Sequence, residues 1–154
     1  MSDESRRVVF DCNIFVQALI NVRGPAAECV RCAQRGEIAL FVSPFVLIEI
    51  REIHEKLPPK YGVTAEETER LATSLLTYAT LITDIQELYI HPRDPDDSHY
   101  INLALATNAE LIVTRDRDLL SLMDDSADSQ AFRAKYSWLR IMDPVMLLQE
   151  IRSR

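Results

Sequence analysis

Glycine is scarce in this chain: Gly24, Gly36 and Gly62 are the only three in 154 residues. A dinucleotide fingerprint and a phosphate-cradling loop both need clustered glycines so that the backbone can approach phosphates. Both enzyme classes are excluded. Cysteine is equally scarce: Cys29 and Cys32 stand three apart inside a helical pattern, and Cys12 stands alone. No second pair and no histidines at ligand spacing accompany them, so they read as structural thiols without a disulfide rather than as a zinc or redox site. Long apolar runs are also missing. Residues 45–48 and 103–106 are among the longest, whereas a bilayer-spanning helix needs ~20. The first dozen residues lack an apolar stretch followed by a small-residue cleavage site, so the expectation is a cytoplasmic protein with no membrane partner.

What is present is a composition of 47% hydrophobic and 27% charged residues, with a net charge of -7 from 24 acidic and 17 basic side chains. A chain of ~150 residues buries roughly 70% of its unfolded surface, and no repeat or boundary interrupts this one, so residues 1–154 read as a single domain. The acidic balance argues against non-specific coating of nucleic acid, which depends on lysine and arginine neutralising phosphates. It leaves open an enzyme that meets nucleic acid through metal ions.

The periodicity predicts strands at residues 7–10, 38–42, 81–83, 88–90, 110–114 and 139–142, the third and fourth of these short. Helices are predicted after Asp11, at 26–35, from Pro44 to about Leu57, from Thr64 to about Tyr78, at 98–107 and at 144–152. Residues 124–130 read as a mobile loop. Strands alternating with helices imply right-handed crossovers and a mostly parallel sheet of four or five strands, covered on both faces in an α/β fold. In such sheets the ligand site lies outside the carboxyl ends of the strands.

Acids gather at that edge. Asp11 ends the first strand, Asp116 follows the strand at 110–114, and Asp94, Asp96 and Asp97 precede the helix at 98–107. Glu49 interrupts the apolar run Phe45-Val46-Leu47-Ile48-Glu49-Ile50, where an unheld carboxylate would cost several kcal/mol to desolvate. Singly, Asp11 reads as a helix cap, Asp96 and Asp97 as first-turn acids, and Asp116 and Asp118 as turn residues. Together they read as a cation site. Hard oxygen ligands without histidine select magnesium or manganese, which suits phosphoryl transfer, and without a cation at least one carboxylate should take up a proton.

The blocks Val8-Val9-Phe10-Asp11-Cys12-Asn13-Ile14-Phe15, Ser43-Pro44 through Glu49, Asp94-Pro95-Asp96-Asp97-Ser98-His99-Tyr100, Leu103-Ala104-Leu105-Ala106, residues 109–116 and Asp118-Leu119-Leu120 resemble the PIN domain. Within that family they resemble the toxin ribonucleases of VapC-like type II toxin-antitoxin systems. The resemblance implies a PIN-like three-layer α/β/α sandwich and a magnesium- or manganese-dependent endoribonuclease, with Asp11, Glu49, Asp97 and Asp116 as metal ligands and catalytic residues. It implies hydrogen-bonding support from Asn13 and Thr114, a homodimer, and an antitoxin that places a basic side chain among the acids. Whether Asp94, Asp96 or Asp118 also contact metal stays open at this level. Cys12 stands where threonine is usual and is expected to point away from the acids. Arg115 stands where glycine is frequent, which makes Asp116 the least secure ligand.

RNA binding on an acidic chain must use local cations, and Arg115, Arg51 and Arg117, with Arg6 and Arg7, are read as lying near the acidic edge. Ile48, Ile53, Leu57, Leu71, Leu75 and Tyr78 recur at helical spacing as a candidate interface. Two other readings compete. A haloacid-dehalogenase-type phosphatase needs a second aspartate two residues after the first, and Asn13 stands there. A catalytically inactive PIN-fold module would bind RNA or a partner protein without metal-dependent cleavage.

Overall fold

A computed structural model describes residues 5–153. Strands β1 (Arg6–Phe10), β2 (Ile38–Val42), β3 (Ala79–Leu81), β4 (Leu111–Val113) and β5 (Arg140–Met142) form one sheet in the order β3-β2-β1-β4-β5, and every adjacent pair is parallel. In β1 and β4, Val8, Val9, Phe10, Leu111, Ile112 and Val113 are fully buried, as strands covered on both faces must be. The edge strand β3 is mostly exposed.

Among the described residues eight helices flank the sheet: α1 (Cys12–Ile20), α2 (Pro25–Gln34), α3 (Pro44–Glu52), α4 (Ala65–Leu75), α5 (Ser98–Thr107), α6 (Arg117–Leu120), α7 (Ala127–Lys135) and α8 (Pro144–Arg152). Right-handed crossovers put α1 to α4 on one face and α5 to α7 on the other, while α8 returns to pack on α2 and α5 lies across β1, β2 and β4. The result is a three-layer α/β/α sandwich. Ser43 Oγ accepts from the N–H of Val46 and Pro44 occupies the first position of α3, while Thr64 and Glu67 close a capping box on α4.

From β1 the chain winds outward through β2 and β3, then crosses back to β4 on the other side of β1. The strand order therefore reverses between β1 and β4, and their carboxyl ends form the crevice in which open parallel sheets bind ligands. The N–H of Asp11 donates to the carbonyl of Val113 at 3.0 Å, which sets Asp11 level with the end of β4.

Several sequence expectations need correction. Residues 88–90 are not a strand. Asn102 of α5 supplies the pairing that a neighbouring strand would: its Oδ1 accepts from the N–H groups of Leu88 and Tyr89 at 2.9 Å, and its Nδ2 donates to the carbonyl of Tyr89. Residues 124–130 are not simply a loop, because Ser126 caps α7 by accepting from the N–H of Ser129. The third strand lies two residues earlier than expected, at Ala79–Leu81, and α3 stops at Glu52 before a short 3₁₀ turn at Ile53–Glu55. The apolar residues at helical spacing on α3 and α4 do not form one exposed stripe: Leu75 is buried, Ile53, Leu57, Leu71 and Tyr78 are half-buried, and Ile48 is exposed. Among the described residues no helix is long and apolar enough to cross a membrane.

Candidate active site

Asp11 leaves β1 and opens α1, with its Oδ1 accepting from the N–H of Asn13 at 3.1 Å. Its Oδ2 accepts from the Thr114 hydroxyl at 2.7 Å, and the same Thr114 oxygen accepts from the N–H of Asp116 at 2.9 Å. Thr114 is fully buried. It ties the ends of β1 and β4 together, so the support expected of Thr114 comes from its side chain, whereas that from Asn13 comes from its backbone. Asp116 caps α6, accepting from the N–H of Asp118 at 2.7 Å. Asp11 and Asp116 are thus helix caps, and both lie close enough to Asp97 for their charges to act on it.

Asp97 is different. It precedes α5 at the end of a 3₁₀ turn but makes no side-chain cap bond; Asp94 caps that turn instead. Buried, with an Oδ2 that has no hydrogen-bond partner among the described residues, Asp97 has its carboxyl pushed up to about 8 by desolvation and by the charges of Asp116, Asp94 and Asp11. Asp11 is raised too, by burial first, then by Glu49 and Asp116, against the lowering bonds from Thr114 and Asn13. One carboxylate oxygen from each of Asp94, Asp97 and Asp118 lies within 4.8 Å of the others, so among the described residues Asp97 is the member of the expected set Asp11, Glu49, Asp97 and Asp116 that falls in this tight group. A set of hard oxygen donors with one orphaned buried oxygen and a carboxyl that retains its proton at neutral pH fits a divalent cation of the magnesium or manganese kind.

Glu49 lies at the β2 side of the patch. The phenol of Tyr100 holds it, donating to Glu49 Oε1 at 2.5 Å while accepting from the N–H of Cys12 at 3.1 Å. Burial, with Asp11, Cys12 and Glu49 nearby, raises the Tyr100 hydroxyl well above its ordinary range, so it stays a donor. His99 Nε2 lies 3.1 Å from the same Glu49 oxygen, outside hydrogen-bonding alignment. An apolar run carries a carboxylate here because Ile50 points into the core, Ile48 to solvent, and Glu49 to the Tyr100 phenol and the His99 imidazole. Cys12 does not point away from the acids. It is buried beside Asp11 and Tyr100, and desolvation with the charges of Asp11 and Glu49 pushes its thiol far up.

The expected cations divide. Arg6 and Arg7 lie at the amino end of β1, the opposite edge of the sheet: Arg6 pairs with Glu150, and Arg7 donates to the Thr107 carbonyl over the ring of Phe41. Arg51 is held by Glu69 at 2.7 Å. Arg117 opens α6 and is exposed, and Arg115 lines a cavity of about 280 Å³ with Gln17, Asn21 and Asp143 on the α1 side of the patch.

Tyr100 and His99 carry parts of this arrangement to which sequence order assigned no role, and Asp94 and Asp118, left open by the sequence, stand beside Asp97. For Tyr100 a signal existed: three residues after Asp97 it shares that residue's face of α5.

The PIN domain family model matches residues 7–118. The chain belongs to the PIN-domain family. This PIN domain is 31% identical over 127 residues to the uncharacterized protein MJ1680 of Methanocaldococcus jannaschii, covering 78% of this chain and 77% of that one. Its fold is similar to a chain in the crystal structure of VapBC2 from Rickettsia felis bound to a DNA fragment from their promoter, with a TM-score of 0.54 over 89% of this chain and 98% of that one, at 15% identity. At that identity the likeness is one of fold. The PIN-domain match takes in Asp11, Glu49, Asp94, Asp97, Asp116 and Asp118 and ends before α7, β5 and α8.

Proposed function

We propose that this PIN domain is a magnesium- or manganese-dependent endoribonuclease, the toxin of a VapC-like toxin-antitoxin pair. The observation that carries the reading is the carboxyl of Asp97, pushed up to about 8 at the centre of acids delivered by the ends of β1 and β4 and the start of α5. So much like charge in one buried place is a liability for the fold and an asset for holding a cation.

Asp11, Asp97, Asp116 and Glu49 would hold the metal, with Asp94 and Asp118 close enough to contribute. A bound divalent ion lowers the pKa of water and neutralises the charge developing on a phosphodiester. The chain's own residues position that chemistry. Thr114 keeps Asp11 and the backbone of Asp116 in register, Tyr100 fixes Glu49 against the first turn of α1, and Asp97 holds a proton that it must release on charging the site. Arg115 and Arg117 are exposed cations beside the patch that suit substrate phosphates.

A partner follows from the same charge. An antitoxin arginine placed among these carboxylates would substitute for the metal charge and exclude substrate, and the exposed Ile48 on α3 and Leu76 after α4 suit a homodimer. The decisive test is cleavage of single-stranded RNA by purified protein with manganese, with EDTA, and with Asp11→Asn. Manganese-dependent cleavage abolished by the substitution is expected, and cleavage that survives Asp11→Asn would overturn the site.

A further inference from the structure

On the α3 side of the acidic patch lies a cavity of about 230 Å³ whose lining includes Phe45, Ile85, Glu87, Asp96, His99 and Asn102. Three aromatic rings lead into it from the core. Tyr100 is buried, the His99 ring centroid lies 4.0 Å from it at 40°, and the Phe45 centroid lies 5.7 Å from that of His99 at 32°. Phe45, at the outer end, is 59% exposed. The inner end is fixed to the site, since Tyr100 holds Glu49, and Asp96 on the rim adjoins Asp97. His99 Nδ1 is buried without a hydrogen-bond partner among the described residues, and its Nε2 faces Glu49 Oε1 at 3.1 Å.

The rim chemistry narrows the occupant. Glu87 and Asp96 are acceptors only, and among the described residues no lysine or arginine lines the cavity, so its rim does not suit a phosphate. At about 230 Å³ it is smaller than the ~300–1,000 Å³ of pockets that enclose drug-sized ligands, which suits one planar ring system. A neutral flat group with a π face for Phe45 and N–H donors for the carboxylates meets every wall. Adenine, cytosine and guanine present an exocyclic amine there, whereas uracil presents carbonyl oxygens on both sides of its single N–H.

We propose that the Phe45–His99 cavity is a nucleobase subsite, taking the substrate base beside the scissile phosphate and selecting amine-bearing bases over uracil. The proposal rests on the ribonuclease reading for its position in the reaction but not for its binding chemistry. Short labelled all-A, all-C and all-U oligoribonucleotides, bound to Asp11→Asn protein so that the strands stay intact, test it by fluorescence anisotropy. All-A and all-C strands are expected to bind at least about fivefold tighter than all-U. Phe45→Ala should weaken all-A and all-C binding by about tenfold, the loss of one stacking platform, and Phe45→Tyr should restore it. Glu87→Gln, which offers an amide donor to a carbonyl, should narrow the gap in favour of uracil.

Equal binding of all strands, unaltered by Phe45→Ala, overturns the subsite even where wild-type protein cleaves RNA with manganese. Base-selective binding dependent on Phe45 in a protein that cleaves nothing supports the subsite and sinks the ribonuclease reading. Conversion of a dimer to a monomer by Phe45→Ala, with base preference intact, overturns the subsite by assigning Phe45 to a contact between copies.

Discussion

At the scale of single residues, Thr114 and Asp97 carry opposite tensions. Thr114 satisfies two partners with one buried hydroxyl, so Thr114→Val keeps the volume and strands both Asp11 Oδ2 and the N–H of Asp116. A loss of about 1–3 kcal/mol in urea unfolding is expected, together with weakened manganese binding; an unchanged midpoint would mean that water replaces the bridge without cost. Asp97 works against stability. Its folded value of about 8 lies above the ~3.9 of an unfolded aspartate, so the folded protein binds that proton more tightly. The stability that follows is full below about pH 4 and is lost as pH rises through 8. Glu150, lowered to about 2 by Arg140 and Arg6, acts in the opposite sense and loses its contribution as pH falls below about 4. Metal-free protein should therefore melt highest in mildly acidic solution and lower at pH 8.5, and Asp97→Asn should flatten that decline. A melting temperature that rises from pH 5 to 8.5 would contradict the assignment.

At the scale of elements, short caps and one side chain do what longer strands would. Asn102 on α5 pairs with residues 88–89 in place of a strand, and through that contact holds the chain that leads to His91, Asp94 and Asp97. His91 continues the tether: its N–H donates to the Ser98 hydroxyl at 2.7 Å, and its ring accepts from the N–H groups of Arg93 and Asp94. Asn102→Ala should leave α5 helical, cost about 1–2 kcal/mol through the orphaned amides, and speed hydrogen exchange at Leu88 and Tyr89 while β1 and β4 stay protected. Uniform acceleration across the sheet would show that the segment does not open on its own.

At the scale of the molecule, a net charge of -7 with Asp11, Glu49, Asp94, Asp97, Asp116 and Asp118 near one sheet edge would make cation binding a folding term. Manganese should raise the melting temperature by an amount set by its concentration, the stabilisation being about 2.7 kcal/mol at a hundred times its Kd, and Asp11→Asn should remove most of the rise. No rise in wild-type protein would sink the metal site regardless of activity. For RNA, Arg115→Glu should weaken binding and lower the salt slope by about one, as loss of a single phosphate contact does. Light scattering at micromolar concentration checks the proposed homodimer, for which a monomer is the contrary result.

The sequence by itself determined the α/β alternation, the doubly buried strands β1 and β4, and the placement of Asp11 and Asp116 at strand ends, because periodicity and chain direction are local properties. Chain direction also placed Arg6 about 16 Å and Arg7 about 13 Å from Asp11, at ~3.3 Å per strand residue, and so toward the opposite edge, a consequence already legible in the sequence. Tertiary structure alone decided which acid keeps a proton, that Tyr100 and His99 of α5 meet Glu49, that Glu69 takes up Arg51, and that Asn102 replaces a strand at residues 88–90. Each of these depends on distances between groups brought together by parallel crossovers, and desolvation and Coulomb interaction act through space, where spacing along the chain carries no information.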